Sequence, residues 1–246
     1  MKKMILLTVT VVLSWSSPCF GEEIPTITAV MENGPSSNRI NVVFLSEAYV
    51  ASQRETYFND VAIATEGLFN FTPFKEYKNY FNVYAIWAAS QDSILAVVDR
   101  GEEPRTYFGE WGGLSPSVEK VYNVSRSFFN GTNSIITILL VNDDRETAAG
   151  SKGGMTVGTG RLHHDPDYIS LYYIRDVIHE FGHALGGLSD EYEGLQTFDA
   201  EKGRSFINVT TETNRDRIRW KHWIDPATPI PTPASNVYIG QIGLFE

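Results

Sequence analysis

The stretch HEFGHALGGLSDEY, residues 179–192, decides the fold class and the chemistry to expect of this chain. His179 and His183 stand four positions apart, and Glu180 directly follows the first histidine. On an α-helix, four residues advance about 400° and roughly 6 Å, so both imidazoles project from one face. That spacing lets two ring nitrogens bind one tetrahedral zinc ion, with the glutamate placed to hold a water beside it. The stretch therefore predicts a catalytic metal helix on which Glu180 is the general base.

The residues on either side of this motif support a helix that ends abruptly. Leu171, Ile174 and Ile178 recur at helical spacing, which predicts a buried apolar stripe on a helix that begins near Ile169. Gly186 and Gly187 follow the second histidine, where a sharp turn is needed to bring in a third ligand.

The third metal ligand comes from the residues just after this turn. The pattern H-E-x-x-H-x-x-G-x-x-H would place a histidine at position 189, but Ser189 occupies it and is a poor zinc ligand. One extra residue in the turn shifts the ligand by one position, which favours Asp190, and Glu191 is the alternative. The carboxylate that does not bind metal would then cap the turn or form an ion pair.

The first 21 residues have the pattern of a secretory signal. Lys2 and Lys3 precede an apolar run, and a polar segment ends at Gly21. The run is too short to cross a membrane, and the remaining sequence contains no other candidate span. We therefore expect a signal peptide at 1–21, a short N-terminal lead at 22–36, and a mature protein that is secreted or periplasmic.

Composition narrows the range of partners. The formal net charge is −10, which disfavours nucleic acids and anionic membranes as partners. The single cysteine, Cys19, lies inside the predicted signal, so the mature chain must be held together by its core and by a metal rather than by disulfides. We expect a monomer that acts on protein or peptide substrates. Four N-x-S/T sequons, among them the one at Asn208, are close to the number expected by chance.

The rest of the chain predicts alternating strands and helices. Residues 39–45 and 81–88 are apolar runs typical of buried strands, and the helix between them implies a parallel pair. That helix is predicted to open at Ser52 with a capping box to Glu55. Its predicted buried stripe consists of Phe58, Val61, Ala62, Leu68 and Phe69. A second helix is expected over 117–129 and the most buried strand over 135–141.

A glycine-rich segment before the metal helix is a candidate for substrate binding. Residues 155–157 are predicted to form an edge strand beside the cleft, where Gly154, Met155 and Thr156 could pair with an extended peptide. The alternative is a surface loop with no such role.

Several other polar residues are weaker candidates. His163 or His164 could line the cleft, whereas His222, between two tryptophans, is expected to be structural. Tyr192 and Tyr238 are available to assist an oxyanion. Aspartates at 143–144 and 165–167 are compatible with a calcium ion.

Taken in order, these motifs resemble the IgA-peptidase family of secreted zinc metallopeptidases. The stretches that carry the resemblance are NRINVVFLSEAY (38–49), PFKEYKNYFNVYAI (73–86), VNDD (141–144), SKGGMTVG (151–158) and HEFGHALGGLSDEY (179–192). The resemblance covers roughly residues 36–246. It implies an α/β (α+β) fold of the metzincin-like zincin type, a mixed twisted sheet with long helices, and secreted endopeptidase activity.

The resemblance also sets expectations for the domain bounds. It implies a zinc metallopeptidase catalytic domain at 37–246. Family members continue past a segment like 242–246 into one that holds a methionine beneath the metal, whereas the last methionine here is Met155. We therefore expect this domain to be truncated at its C-terminus.

A rival hypothesis is a non-catalytic zincin-fold pseudoenzyme that binds extracellular protein or glycan. The presence of Glu180 argues against it, because a protein that only binds needs no base beside the water.

Overall fold

The computed structural model gives the described part of the protein a six-stranded sheet with helices on both faces. The structure describes residues 24–93, 105–109, 117–129, 134–142, 148–151, 154–158, 166–190, 207–233, 235–238 and 241–243. Within the described strands and helices, the side chains of 148–151, 155–158 and 166–173 are left aside.

The sheet has a parallel centre and an antiparallel strand at each edge. The strands are β1 (Thr26–Met31), β2 (Ile40–Glu47), β3 (Phe81–Trp87), β4 (Ile135–Val141), β5 (Ala148–Ser151) and β6 (Gly154–Gly158). Their order is β1-β3-β2-β4-β6-β5. The four central strands are parallel, whereas β1 runs antiparallel to β3 and β5 antiparallel to β6.

The three strands predicted from apolar runs are confirmed. β2, β3 and β4 form at the predicted positions, and β2 pairs with β3 in parallel as expected. Nearly every residue in them is buried, because helices cover both faces of the sheet. Strand β1 lies within the segment predicted to be a short lead, so the sheet starts before residue 37.

The prediction of an edge strand at 155–157 is wrong. These residues belong to β6, which pairs with β4 on one side and with β5 on the other. The edge strand at this end of the described sheet is β5, for which no pattern was recognised in the sequence. The short run Ala148–Ser151 has no apolar pattern, and only its pairing with β6 makes it a strand.

Helices α1 (Arg54–Asn70) and α4 (Pro166–Phe181) cover one face of the sheet. Their buried side chains include Tyr57, Val61, Ala64, Leu68, Val177 and Phe181, which pack on alternate residues of β2, β3 and β4. The short helix α2 (Phe74–Tyr77) contributes Phe74, whose ring lies edge-on to Phe181 at 5.1 Å. The helix that carries His179 is thus fixed to the core.

The opposite face is covered by α3 (Val118–Ser127) and by residues 105–109. Helix α3 forms within the predicted range, and the hydroxyl of Ser117 caps it by accepting a hydrogen bond from the Lys120 N–H at 3.3 Å. Phe108 and Phe129 are buried against the other alternate residues of the strands.

Helix α1 departs from the predicted details at its start and on its stripe. The expected capping box between Ser52 and Glu55 is wrong: the helix begins at Arg54 after a 3-10 turn, Ala51–Gln53. The side-chain oxygen of Gln53 accepts from the Val50 N–H at 3.0 Å instead. Of the predicted stripe, Ala62 is exposed, and Tyr57 and Ala64 take part in the core instead.

Gly67 on α1 allows α4 to pack closely against it. A Cβ at this position would lie 2.6 Å from Cγ1 and 2.8 Å from Cγ2 of Ile174 on α4. Real Cβ contacts are essentially never this short, and these two carbons are bonded to the Cβ of Ile174 rather than lying at the far end of a flexible side chain. Glycine is therefore required for the observed distance between the two helices.

We expect Gly67→Ala to destabilise the protein by about 1–3 kcal/mol through this overlap, even though alanine favours a helix by about 1 kcal/mol. Urea unfolding measures the change. Ile174→Ala is the matched second variant, because it removes the overlapping atoms. If Gly67→Ala costs as much beside alanine at 174 as beside isoleucine, helix contact is not the reason for the glycine.

Glu47, at the end of β2, is a fully buried carboxyl group. Its Oε2 accepts from the Phe108 N–H at 3.0 Å, whereas Oε1 has no hydrogen-bond partner among the described residues. Burial raises the pKa of Glu47 from its ordinary value of 4.5 to about 7, against smaller lowering effects of Thr106, Phe108 and Lys120. The group therefore binds its proton more tightly in the folded chain than in the unfolded one.

This difference predicts a dependence of stability on pH. The contribution of the Glu47 proton to the stability of the folded chain is complete below about pH 4.5 and is lost as the pH rises to and through about 7. Glu47→Gln resembles the protonated acid and should remove the pH dependence that this carboxyl causes. The free energy of unfolding of the variant should therefore rise by roughly 2–3 kcal/mol relative to that of the parent between pH 4.5 and pH 8. Urea unfolding across this range tests it, with Glu66→Gln on the exposed side of α1 as control. If the free energy of unfolding changed with pH in the same way in the parent and in Glu47→Gln, burial would not raise the pKa of Glu47.

The described part of 207–243 contains three short 3-10 turns, Arg215–Arg217, Lys221–Trp223 and Asn236–Tyr238. No helix in the described part of the chain is long and apolar enough to span a membrane.

Candidate metal centre

The two histidines lie at the end of α4, but they are not both on regular α-helix. His179 and Glu180 belong to α4, whereas His183 lies on a π-helical turn, Gly182–Gly186, that continues it. The sequence predicted one continuous α-helix here. The wider turn is a finding of the structure, and such turns recur at functional sites.

Gly187 ends this turn and reverses the chain. Its φ is +61°, and its N–H donates to the His183 carbonyl at 3.0 Å. A side chain at this φ would be strained, so the glycine allows the reversal, as the sequence predicted. The next three residues then run back towards the two imidazoles.

Three side-chain atoms converge where the chain returns. His179 Nε2 lies 3.1 Å from His183 Nε2, and Asp190 Oδ1 lies 3.0 Å from the first nitrogen and 3.2 Å from the second. His179, His183 and Asp190 are a group able to hold a metal ion in the described part of the chain. The side chains of His179 and Asp190 are 42% and 44% exposed and that of His183 15%, so the group opens to solvent on one side.

The donor set fits a zinc ion. Ligand atoms about 2.0–2.1 Å from a tetrahedral zinc lie about 3.3–3.4 Å from one another, close to the separations found here. A single proton could bridge only one of the three pairs, whereas one cation satisfies all three atoms. Three protein ligands with an open fourth direction are typical of catalytic rather than structural zinc.

A backbone carbonyl orients one of the imidazoles. His183 Nδ1 lies 2.7 Å from the Leu188 carbonyl oxygen, which can only accept a hydrogen bond. Nδ1 therefore carries the proton, which leaves the Nε2 lone pair directed at the other two ligand atoms.

Glu180 is largely buried beside this group. Burial raises the pKa of Glu180 above its ordinary value, the charges of Asp190 and Asp176 act in the same direction, and His179 and His183 oppose them. A carboxylate with a raised pKa is better matched to accept and then return a proton near neutral pH.

The other predicted candidates divide between described and undescribed residues. Outside the described residues lie the alternative ligand Glu191, together with Tyr192, His163, His164, Asp143, Asp144 and Asp165. Asp167 lies in the first turn of α4. His222 is exposed, and its ring lies edge-on to Trp223 at 4.9 Å. Gly154, Met155 and Thr156 lie in β6, where both neighbouring strands already pair with them.

Sequence reasoning missed two groups that touch this centre. The Leu188 carbonyl has no sequence signal, because any residue type supplies one. Asn208 binds the backbone of Ser189 through both of its amide atoms, although it was notable in the sequence only as part of a sequon. A partner 19 residues away can be found only once the fold is known.

In a comparison with protein families, a family model matches most of the chain. The family model described as IgA Peptidase M64 matches residues 28–242, which include most of β1, all of α4 and Asn208. No curated protein matches the chain.

Proposed function

Because the chain belongs to the IgA peptidase M64 family, we propose that it is a secreted zinc-dependent endopeptidase. The family match makes it a peptidase, and the family's metallopeptidase character implies a metal. The observation that carries the finer proposal is the convergence of His179 Nε2, His183 Nε2 and Asp190 Oδ1 next to a largely buried Glu180.

Each residue has a distinct part in the proposed reaction. His179, His183 and Asp190 would hold the zinc, which supplies an acidified water and polarises the scissile carbonyl. Glu180 accepts the proton from the attacking water and delivers it to the leaving amine. The raised pKa of Glu180 favours the first transfer, because a carboxylate with a higher pKa is a stronger base towards the water.

The mixed sheet and the helices agree with the metzincin-like zincin type that the family resemblance implies. The strand on which we expect the substrate to bind is β5 instead of β6. β5 is the edge strand at one end of the described sheet, and it lies against α4 and the π-helical turn that carries His183. We place an extended substrate along β5, where backbone hydrogen bonds would hold it beside the metal. Gly154, Met155 and Thr156 would then support β5 from one strand further in.

Export is the remaining part of the proposal. It rests on the signal-like pattern of residues 1–21 and agrees with a mature chain that has no cysteine. Protein substrates follow from the peptidase family, and the acidic net charge gives no reason to expect a nucleic acid.

Digestion of a mixed peptide library tests the endopeptidase proposal. We expect new termini at internal positions, found by mass spectrometry, and their loss in the presence of a chelator. Peptides that bind but stay intact would instead identify a zincin-fold pseudoenzyme that captures protein.

A further inference from the structure

We infer that Asn208 is a positioning residue that holds the third metal ligand and the second histidine in register. The inference rests on the proposed function, since it concerns the metal centre of that enzyme. Two hydrogen bonds join Asn208 to the backbone of Ser189, which is not one of the three ligand residues.

The contact between Asn208 and Ser189 is a two-point contact. Asn208 Oδ1 accepts from the Ser189 N–H at 2.8 Å, and Asn208 Nδ2 donates to the Ser189 carbonyl at 2.7 Å. One planar side-chain amide thus satisfies both polar groups of one residue. Such a pair fixes orientation as well as distance, because both bonds must keep their geometry at once.

The first bond acts on the peptide unit that orients His183. The Ser189 N–H and the Leu188 carbonyl belong to the same planar peptide group. That carbonyl lies 2.7 Å from His183 Nδ1. Holding the N–H in place therefore holds the carbonyl, and through it the imidazole of His183.

The second bond acts on the peptide unit that leads into Asp190. The Ser189 carbonyl and the Asp190 N–H share the next planar group. A fixed carbonyl restricts where the Asp190 side chain starts, and its Oδ1 lies 3.0 and 3.2 Å from the two histidine nitrogens. Asn208 thus restrains one ligand directly through the backbone and another through a carbonyl.

The turn before Ser189 explains why such a restraint is needed. Among the described residues, no atom lies within 4 Å of the position that a Cβ would take at Gly187, so no described side chain packs against this point of the turn. Leu188 does lie close to Gly186, where a Cβ would be 3.1 Å from its Cγ, which anchors the segment on the turn side. Asn208 supplies the anchor on the other side.

Few other side chains could replace Asn208. Aspartate could still accept from the Ser189 N–H, but its second oxygen would face the Ser189 carbonyl, which also only accepts. Alanine loses both bonds. We expect Asn208→Ala to weaken zinc binding about 10- to 100-fold and Asn208→Asp to weaken it less.

Competition with a chromogenic chelator measures zinc affinity in the parent, Asn208→Ala and Asn208→Asp, alongside thermal unfolding of the metal-free proteins. Thr210→Ala is the matched control: it removes the same N-x-T sequon but leaves the Asn208 amide in place. Cobalt(II) in place of zinc adds a spectroscopic readout, because its visible absorption follows ligand geometry. We expect weaker zinc binding and an altered cobalt spectrum in both Asn208 variants. In Thr210→Ala we expect the zinc affinity and the cobalt spectrum of the parent.

Zinc affinity and a cobalt spectrum equal to those of the parent, in a folded Asn208→Ala, would overturn the inference. If that variant does not fold, the same result in Asn208→Asp overturns it. A parent that binds no zinc would be a different failure, because it would remove the proposed metal centre itself.

Discussion

Glu180→Gln is expected to reduce peptide hydrolysis by about a thousandfold or more while the protein keeps its zinc. Glutamine has nearly the same shape as glutamate but cannot accept the proton of the attacking water, and a positioned acid–base group contributes about 10²–10⁴ in rate. Zinc should be retained because the converging ligand atoms come from His179, His183 and Asp190. The measurement is the rate of cleavage of one peptide identified from the library, with metal content determined on the same sample.

Glu55→Gln is a suitable control for this experiment. It makes the same chemical change on α1 at an exposed position outside the candidate metal centre. The control should cleave at the parent rate. If Glu180→Gln cleaved at the parent rate as well, Glu180 would not be the base, however well placed it is.

Asp190→Ala is expected to weaken zinc binding by more than about a hundredfold and to abolish cleavage at ordinary zinc concentrations. The substitution removes one of three ligand atoms that lie 3.0–3.2 Å apart, and even residues that only support a ligand change metal affinity 10- to 100-fold. Added zinc should restore part of the activity, because His179 and His183 remain. Zinc affinity by chelator competition is the measurement.

Glu191→Gln separates the two carboxylates that the sequence left as alternatives. The structure brings Asp190 into contact with both histidines, so the Glu191 variant should bind zinc like the parent. The opposite outcome, loss of zinc in Glu191→Gln and retention in Asp190→Ala, would show that the third ligand had been wrongly assigned.

Features that depend on local periodicity could be predicted from the sequence. The apolar runs at 39–45, 81–88 and 135–141 predicted β2, β3 and β4, because a sheet covered on both faces buries every residue of its central strands. The spacing of His179 and His183 predicted that their ring nitrogens meet, since one helical turn separates them. Gly187 predicted the chain reversal, because it allows a positive φ.

Features that depend on distant neighbours could not be predicted. β5 is a strand only because β6 lies beside it, and β6 is internal for the same reason. The choice between Asp190 and Glu191 depends on the path of the chain after the turn. The raised pKa of Glu47 and the contact of Asn208 with Ser189 arise from residues far away in sequence, for which local pattern gives no signal.

Cleavage by metal-free protein to which zinc is returned in measured amounts would decide whether this protein is a zinc peptidase. We expect no cleavage after chelation, recovery in proportion to added zinc, and a plateau at about one zinc per chain, as three converging ligands around one site imply. Cleavage that survives complete removal of the metal, or zinc that binds at one per chain without restoring any cleavage, would contradict the proposed function.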